Sequence, residues 1–339
     1  MKKFLLYSAV AIALLVLMNW IYTRYLYHDD LLRHSDIVES SWKVATDSCE
    51  LVYLGESSNR TYGNTDTDHR KISEMLDDLM PEVRCSDITQ DAAHAEVYYY
   101  LLKNIPEDSQ VKTVVVTMNL RSFGANWIYS SLETALQKKL VLMKDYPPLI
   151  KRAMLAFKAY PIRTKEEWYR LADKQMKTAP LAFPYPFPFK TVAEWNKSVA
   201  YEGVKDAQGN RDQALTELTT HFIKNYGFQI REDNPRVKDF DHIAELAEKR
   251  GWRLAFNIMA ENVDLAEKLV GDDLLFLMRR NVDFLVERYT KRGVIMVNNL
   301  EAVRDKEFID REWPTEHYYQ NGRMIVAKNL QEKLVQPHL

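Results

Sequence analysis

The chain is short of glycine, with 10 in 339 residues, so it has few flexible joints. It holds only two cysteines, Cys49 and Cys85, and no His or Cys pair at ligand spacing, which argues against a metal site. There is no basic excess: 46 Lys and Arg against 48 Asp and Glu leave a formal net charge of -2, which excludes a general nucleic-acid binder. No internal repeat or low-complexity tract occurs. The 46% hydrophobic and 28% charged residues are an ordinary globular balance, not that of a disordered chain. What is plentiful is aromatic: 19 Tyr and 7 Trp, which build a core or line a groove for sugars or acyl chains.

Lys2 and Lys3 precede an apolar run from Phe4 to Tyr22, broken only by Ser8 and Asn19. That run approaches the ~20 residues a helix needs to cross a bilayer. A cleaved signal peptide is the rival reading. No small-x-small site closes the run, however, and it ends in Asn19-Trp20-Ile21-Tyr22, whose aromatics suit a membrane interface. An uncleaved anchor over residues 1–24 is expected, with Lys2 and Lys3 cytoplasmic and the remainder extracytoplasmic, on the periplasmic side. Residues 25–47 read as a polar connecting helix. Outside the cytoplasm Cys49 and Cys85 are able to form a disulfide; two buried thiols are the alternative.

From there strands and helices alternate. Glu50–Leu54 is a short apolar run ending at Gly55, and Val111–Met118 a β-branched one, both read as buried strands. Further strands are expected at about 82–88, 252–259 and 294–298, separated by helices at 71–80, 92–103, 239–250 and 263–292, with a closing helix from Gly322 to Leu334. Five strands with intervening helices imply a three-layer α/β/α sandwich on a mainly parallel sheet. The stretch from about 130 to 238 departs from this pattern. Its Pro180–Phe189 segment, with four prolines, suits neither helix nor central strand, and reads as an insertion over one end of the sheet, as a lid or a stiffened surface loop.

In parallel sheets the active site lies at the carboxyl ends of the strands, which directs attention to the residues just beyond them. Gly55-Glu56-Ser57-Ser58 follows the first strand, where a serine hydroxyl sits beside backbone N–H groups able to receive an oxyanion. His317 follows the last strand and precedes the closing helix. A serine needs a base, and the base an acid to fix its tautomer. Taken together these segments resemble the SGNH, or GDSL-like, hydrolase superfamily. Gly55-Glu56-Ser57 stands for its Gly-Asp-Ser block, His317 with Gly322, Arg323 and Ala327 for its last block, and Asn119 for its oxyanion asparagine. The resemblance covers about residues 48–334 and implies a flavodoxin-like SGNH fold with Ser57 as nucleophile and His317 as general base. The oxyanion would be received by Asn119 and the Ser57 or Ser58 backbone N–H.

Two departures stand out. Pro314 occupies the place of the family's aspartate, which leaves Asp310, with Glu316 as the alternative, to complete the triad. The family's glycine after the second strand is replaced by Thr89-Gln90-Asp91-Ala92. Arg60, Arg121 and Asn262 follow strands at the same end and are candidates for binding an anionic or sugar substrate. The resemblance implies acyl-ester hydrolysis or O-acyl transfer on an envelope glycan or other acylated carbohydrate, without a cofactor, beside a membrane-bound O-acyltransferase partner. A lipase or esterase is one alternative, which a strongly apolar groove near Phe183–Phe189 would favour. A non-catalytic assembly protein on the same fold is the other.

Overall fold

The structure is a computed structural model and describes residues 1–34, 37–46, 48–161 and 164–336. Among the described residues seven strands are present: β1 Leu51–Gly55, β2 Cys85–Thr89, β3 Thr113–Met118, β4 Val204–Lys205, β5 Arg211–Asp212, β6 Arg253–Ile258 and β7 Ile295–Asn298. Five form one parallel sheet in the order β2-β1-β3-β6-β7; β4 and β5 pair as a separate two-residue hairpin inside the 130–238 stretch. The inner strands β1, β3 and β6 are short and mostly apolar, as strands covered on both faces must be, whereas β2 at the edge is polar and half-buried.

Successive residues feed opposite layers. Val52 and Leu54 of β1 and Val114 and Val116 of β3 pack under Ala95–Lys103, Pro235–Arg250 and Asp272–Thr290, while Leu51, Tyr53 and Val115 face Ile72–Leu79 and Gln320–Val335. The α/β/α sandwich expected from the alternation is therefore the fold. The helix before β6 begins at Pro235, not at Asp239, with Asn234 as its side-chain cap. Proline at the first helical position and an Asn cap are a start signal present in the sequence.

Lys2–Tyr25 is one continuous helix with no buried residue, long and apolar enough to cross a membrane. The segment behind it is two helices, Tyr27–His34 and Ile37–Thr46, and it is less polar in its packing than its composition indicates. Leu31, Ile37, Val38 and Val44 are buried in the same core that covers one face of the sheet.

Cys49 and Cys85 are both thiols, so no disulfide joins them. The Cys49 thiol donates to the Leu51 carbonyl at 2.8 Å, and burial pushes the Cys85 thiol up to about 12. Pro180–Phe189 folds back through a bridge between Pro180 and Thr191 and packs Phe183 and Tyr185 on Phe276. Arg280 donates to the Ala182 carbonyl at 2.6 Å, which holds the segment to the flank of Asp272–Thr290.

Candidate active site

The chain reverses its direction of travel across the sheet between β1 and β3, which lie side by side at the centre. A crevice opens there beyond the carboxyl ends, the usual ligand position in such sheets. Ser57 lies two residues past β1 and Asn119 one residue past β3.

The serine turn is fixed locally. Glu56 caps the short helix Ser57–Arg60 by accepting the Ser58 N–H at 3.2 Å. Asn59 is fully buried: its amide donates to Thr89 Oγ1 at 2.7 Å and Ser73 Oγ at 3.1 Å, and its carbonyl accepts from the Ser73 N–H at 2.9 Å. Gly55 is required for this turn, because a Cβ there would stand 2.8 Å from Cβ of Asn59. A strand, a helix and the turn are thus pinned by one side chain.

The histidine arrives on a long connection after β7. Phe308 bridges Tyr318, and the Ile309 N–H donates to the His317 carbonyl at 2.9 Å, so the residues between form a loop with a narrow neck. That neck explains how an acid seven residues away reaches the ring. Asp310 Oδ2 lies 2.7 Å from His317 Nδ1 and also accepts the Thr315 hydroxyl at 2.6 Å. On the other side of the ring, His317 Nε2 lies 2.9 Å from Ser57 Oγ. A second contact, from Ser57 Oγ to Glu56 Oε2, is longer at 3.3 Å. Serine, imidazole and carboxylate therefore form a continuous relay open to solvent, with the His317 side chain 20% exposed.

Glu316 does not take part in it. Its side chain is fully buried and turned to Arg121, which also donates to the Pro314 carbonyl at 2.9 Å and stacks on Trp127 at 4.3 Å. Arg121 is thus committed to the histidine loop, while one side of it borders the crevice. Burial works against its charge, but the Glu316 carboxylate prevails and holds the guanidinium protonated above its ordinary range. Glu261, just beyond β6, accepts the Tyr226 hydroxyl at 2.5 Å; burial, then the Glu316 charge, push its carboxyl well up. Neither the buried Glu261 nor its partnership with Glu316 left any local signal in the sequence.

Three further expectations change. The Ser58 N–H is engaged by the Glu56 carboxylate, which removes it as an oxyanion donor. Asn262 caps the helix Val263–Leu269 and donates to Asp305 at 2.7 Å, away from the serine. Arg60 is paired with Asp91 at the exposed rim. Asn119 is buried with no hydrogen-bond partner for its Oδ1 among the described residues. Ala92, in the segment that replaces the glycine expected after the second strand, adopts a left-handed φ of 56° in the loop after β2 and lines the crevice. Such strained backbone in a non-glycine residue is concentrated at functional sites.

The crevice, about 520 Å³, is walled by Trp127, Leu132, Leu136 and Trp313 around Ser57 and His317. Pro180–Phe189 contributes nothing to it; the helix Glu133–Met143 does. The groove beside Phe183 and Tyr185 carries Asp272, Arg279, Arg280 and Asp283 and is not the apolar trough a lipase would need.

Comparison with known proteins adds little to this geometry. No protein-family model and no curated protein sequence matches the chain. A solved structure, the lipase/acylhydrolase from Enterococcus faecalis, is similar over 84% of this chain and 95% of its own, at 9% identity and a TM-score of 0.37. At that score the likeness carries no weight on activity; the fold rests on the strand order itself.

Proposed function

We propose that the protein is an SGNH-type serine hydrolase or O-acyltransferase, held to the membrane by Lys2–Tyr25. The observation that supports this most is the relay from Asp310 through His317 to Ser57, with contacts of 2.7 and 2.9 Å. In this reading the Asp310 carboxylate accepts from Nδ1–H and leaves Nε2 free to take the Ser57 proton. The serine oxygen adds to an ester carbonyl, whose oxygen gains negative charge and is received by Asn119 and backbone N–H groups. The imidazolium then protonates the departing alcohol, leaving an acyl-serine. Water or a sugar hydroxyl, deprotonated by His317, takes the acyl group and regenerates the serine.

The substrate we assign is an acylated carbohydrate of the cell envelope, with the domain on the extracytoplasmic side and a membrane-bound O-acyltransferase as partner. Support comes from the apolar N-terminal helix and from Trp127 and Trp313 at the crevice, whose flat faces suit sugar rings. Mixing the protein with an aryl acetate and quenching in acid tests the chemistry. An increase in intact mass by one acetyl group, located on Ser57 and absent from Ser57→Ala, is expected. Ester cleavage that persists in Ser57→Ala would overturn the reading.

A further inference from the structure

Behind the crevice lies a second, much smaller cavity of about 20 Å³, bounded by Glu56, Ala92, Arg121, Trp127 and Leu136, which it shares with the crevice, and by His94, Asn119, Glu133 and Arg236, which it does not. Its polar walls are buried and incompletely satisfied. His94 and Arg236 are each 5% exposed, and among the described residues both His94 ring nitrogens, Arg236 Nε and Asn119 Oδ1 lack hydrogen-bond partners. Glu133 holds the other edges, with Oε2 at 3.2 Å from His94 Nε2 and 3.3 Å from an Arg236 nitrogen. Burial pushes the Glu133 carboxyl up, but His94 and Arg236 outweigh it and hold it down to about 2, while burial lowers the His94 ring. Placing the ring proton on Nε2, which lies 3.2 Å from Glu133 Oε2, leaves Nδ1 as an acceptor in the cavity that Arg236 also lines, with its Nε as a donor.

The placement of Asn119 and His317 gives this cavity a direction. His317 borders the crevice and not the cavity, whereas Asn119 borders the cavity and not the crevice. Around a reacting ester carbonyl, the departing alcohol must be near the imidazolium that protonates it, and the oxygen near its donor. The acyl substituent takes the remaining direction, along Glu56, Ala92 and Leu136, walls that the crevice and the cavity share. We propose that the inner cavity is the far end of the acyl subsite, and that it takes the terminal hydroxyl of a two-carbon hydroxyacyl group whose carbonyl sits at Ser57 in the crevice. This rests on the hydrolase reading above and names its acyl group. A cavity of this volume holds about one water-sized group, so a longer alkyl chain has no room. A methyl group would leave His94 Nδ1 and Arg236 Nε stranded, whereas a hydroxyl both donates to the one and accepts from the other. Sites built to bond a hydroxyl reject analogues that lack it far more strongly than apolar pockets reject an added methylene.

Aryl esters of hydroxyacetic, acetic, butyric and octanoic acid test this on the full chain, with fluorophosphonate labelling of Ser57 run in parallel. Expected is a kcat/KM at least tenfold higher for hydroxyacetyl than for acetyl, and a further drop of about a hundredfold at butyryl. His94→Leu should bring the hydroxyacetyl-to-acetyl ratio close to one. Leu136→Ala, which leaves the buried charges in place, should raise butyryl turnover relative to acetyl. Labelling of Ser57 with equal rates on acetyl and hydroxyacetyl esters would mean that the cavity keeps an ordered water, and would overturn the subsite while leaving the hydrolase reading intact. Octanoyl turnover matching acetyl would overturn it too. Absence of both labelling and turnover in the folded protein would remove the hydrolase reading, and the subsite with it.

Discussion

The serine turn and the histidine loop meet at one hydrogen bond but are held in place by different means. Ser57 is positioned by its own neighbourhood: β1 ends at Gly55, Glu56 caps the next turn, and Asn59 ties it to Ser73 and Thr89. The loop carrying His317 has little regular structure of its own and relies on buried arginines. Arg121 clamps it from the end of β3. Arg323, fully buried in the last helix, donates to the Tyr318 carbonyl at 2.8 Å, to Asp66 at 2.8 Å and to the Arg70 carbonyl at 3.1 Å. In the proposed reading, the nucleophile is thus set by local backbone geometry, while its base depends on long-range electrostatics in a dry interior. Damage to the first should be chemical and damage to the second structural.

The sharpest break in that comparison is at the relay. Asp310→Asn should lower kcat on a short aryl ester by about 10⁴-fold, the scale of loss when a triad acid is replaced and the histidine takes the wrong tautomer. The melting temperature should hardly move, because Asp310 is partly exposed. Next is the clamp. Arg121→Ala strands the Glu316 carboxylate in the interior and should cost about 3–5 kcal/mol in urea unfolding, with activity lost through the displaced loop. Arg121→Met with Glu316→Leu should recover much of that stability, since a buried pair is often replaced by apolar groups at little cost. Asn119→Ala should reduce kcat by about 10²–10³-fold with folding intact, the usual loss for one oxyanion donor.

The smallest effect is one of pH. Asp239 is pushed up from 3.8 to about 6, chiefly by burial and against the pull of Arg236. Between those values the folded state binds more protons than the unfolded state, so stability is full below about pH 4 and falls as pH rises through 6. The fall should be at most about 3 kcal/mol. Asp239→Asn should flatten the unfolding free energy across that window, and an unchanged slope would assign the pH dependence to other groups.

The inner strands were legible because parallel strands buried on both faces read as apolar runs, as Val-Val-Val in β3 does. Position along the chain also pointed to Ser57, His317 and Asn119, since each directly follows a strand or precedes the last helix. Roles that depend on distant partners were not legible. Arg121 and Glu316 are 195 residues apart, and no periodicity links an arginine after β3 to a glutamate beside the histidine. Read locally, the one became a candidate ligand-binding group and the other the alternative to Asp310 as triad acid. Asp310 and Glu316 differ by six positions, but only the neck at Phe308 and Tyr318 decides which faces the ring. Asn262 misled for the opposite reason, because a capping asparagine and a substrate-binding one look alike until the helix behind it is seen.

Fluorophosphonate labelling of the full-length protein in detergent tests the central claim most directly, because only a serine activated by its base reacts. The account predicts one adduct per chain, located on Ser57, lost in Ser57→Ala and strongly slowed in Asp310→Asn. A folded wild-type protein that takes up no label, or a Ser57→Ala variant that labels as well as wild type, would contradict it.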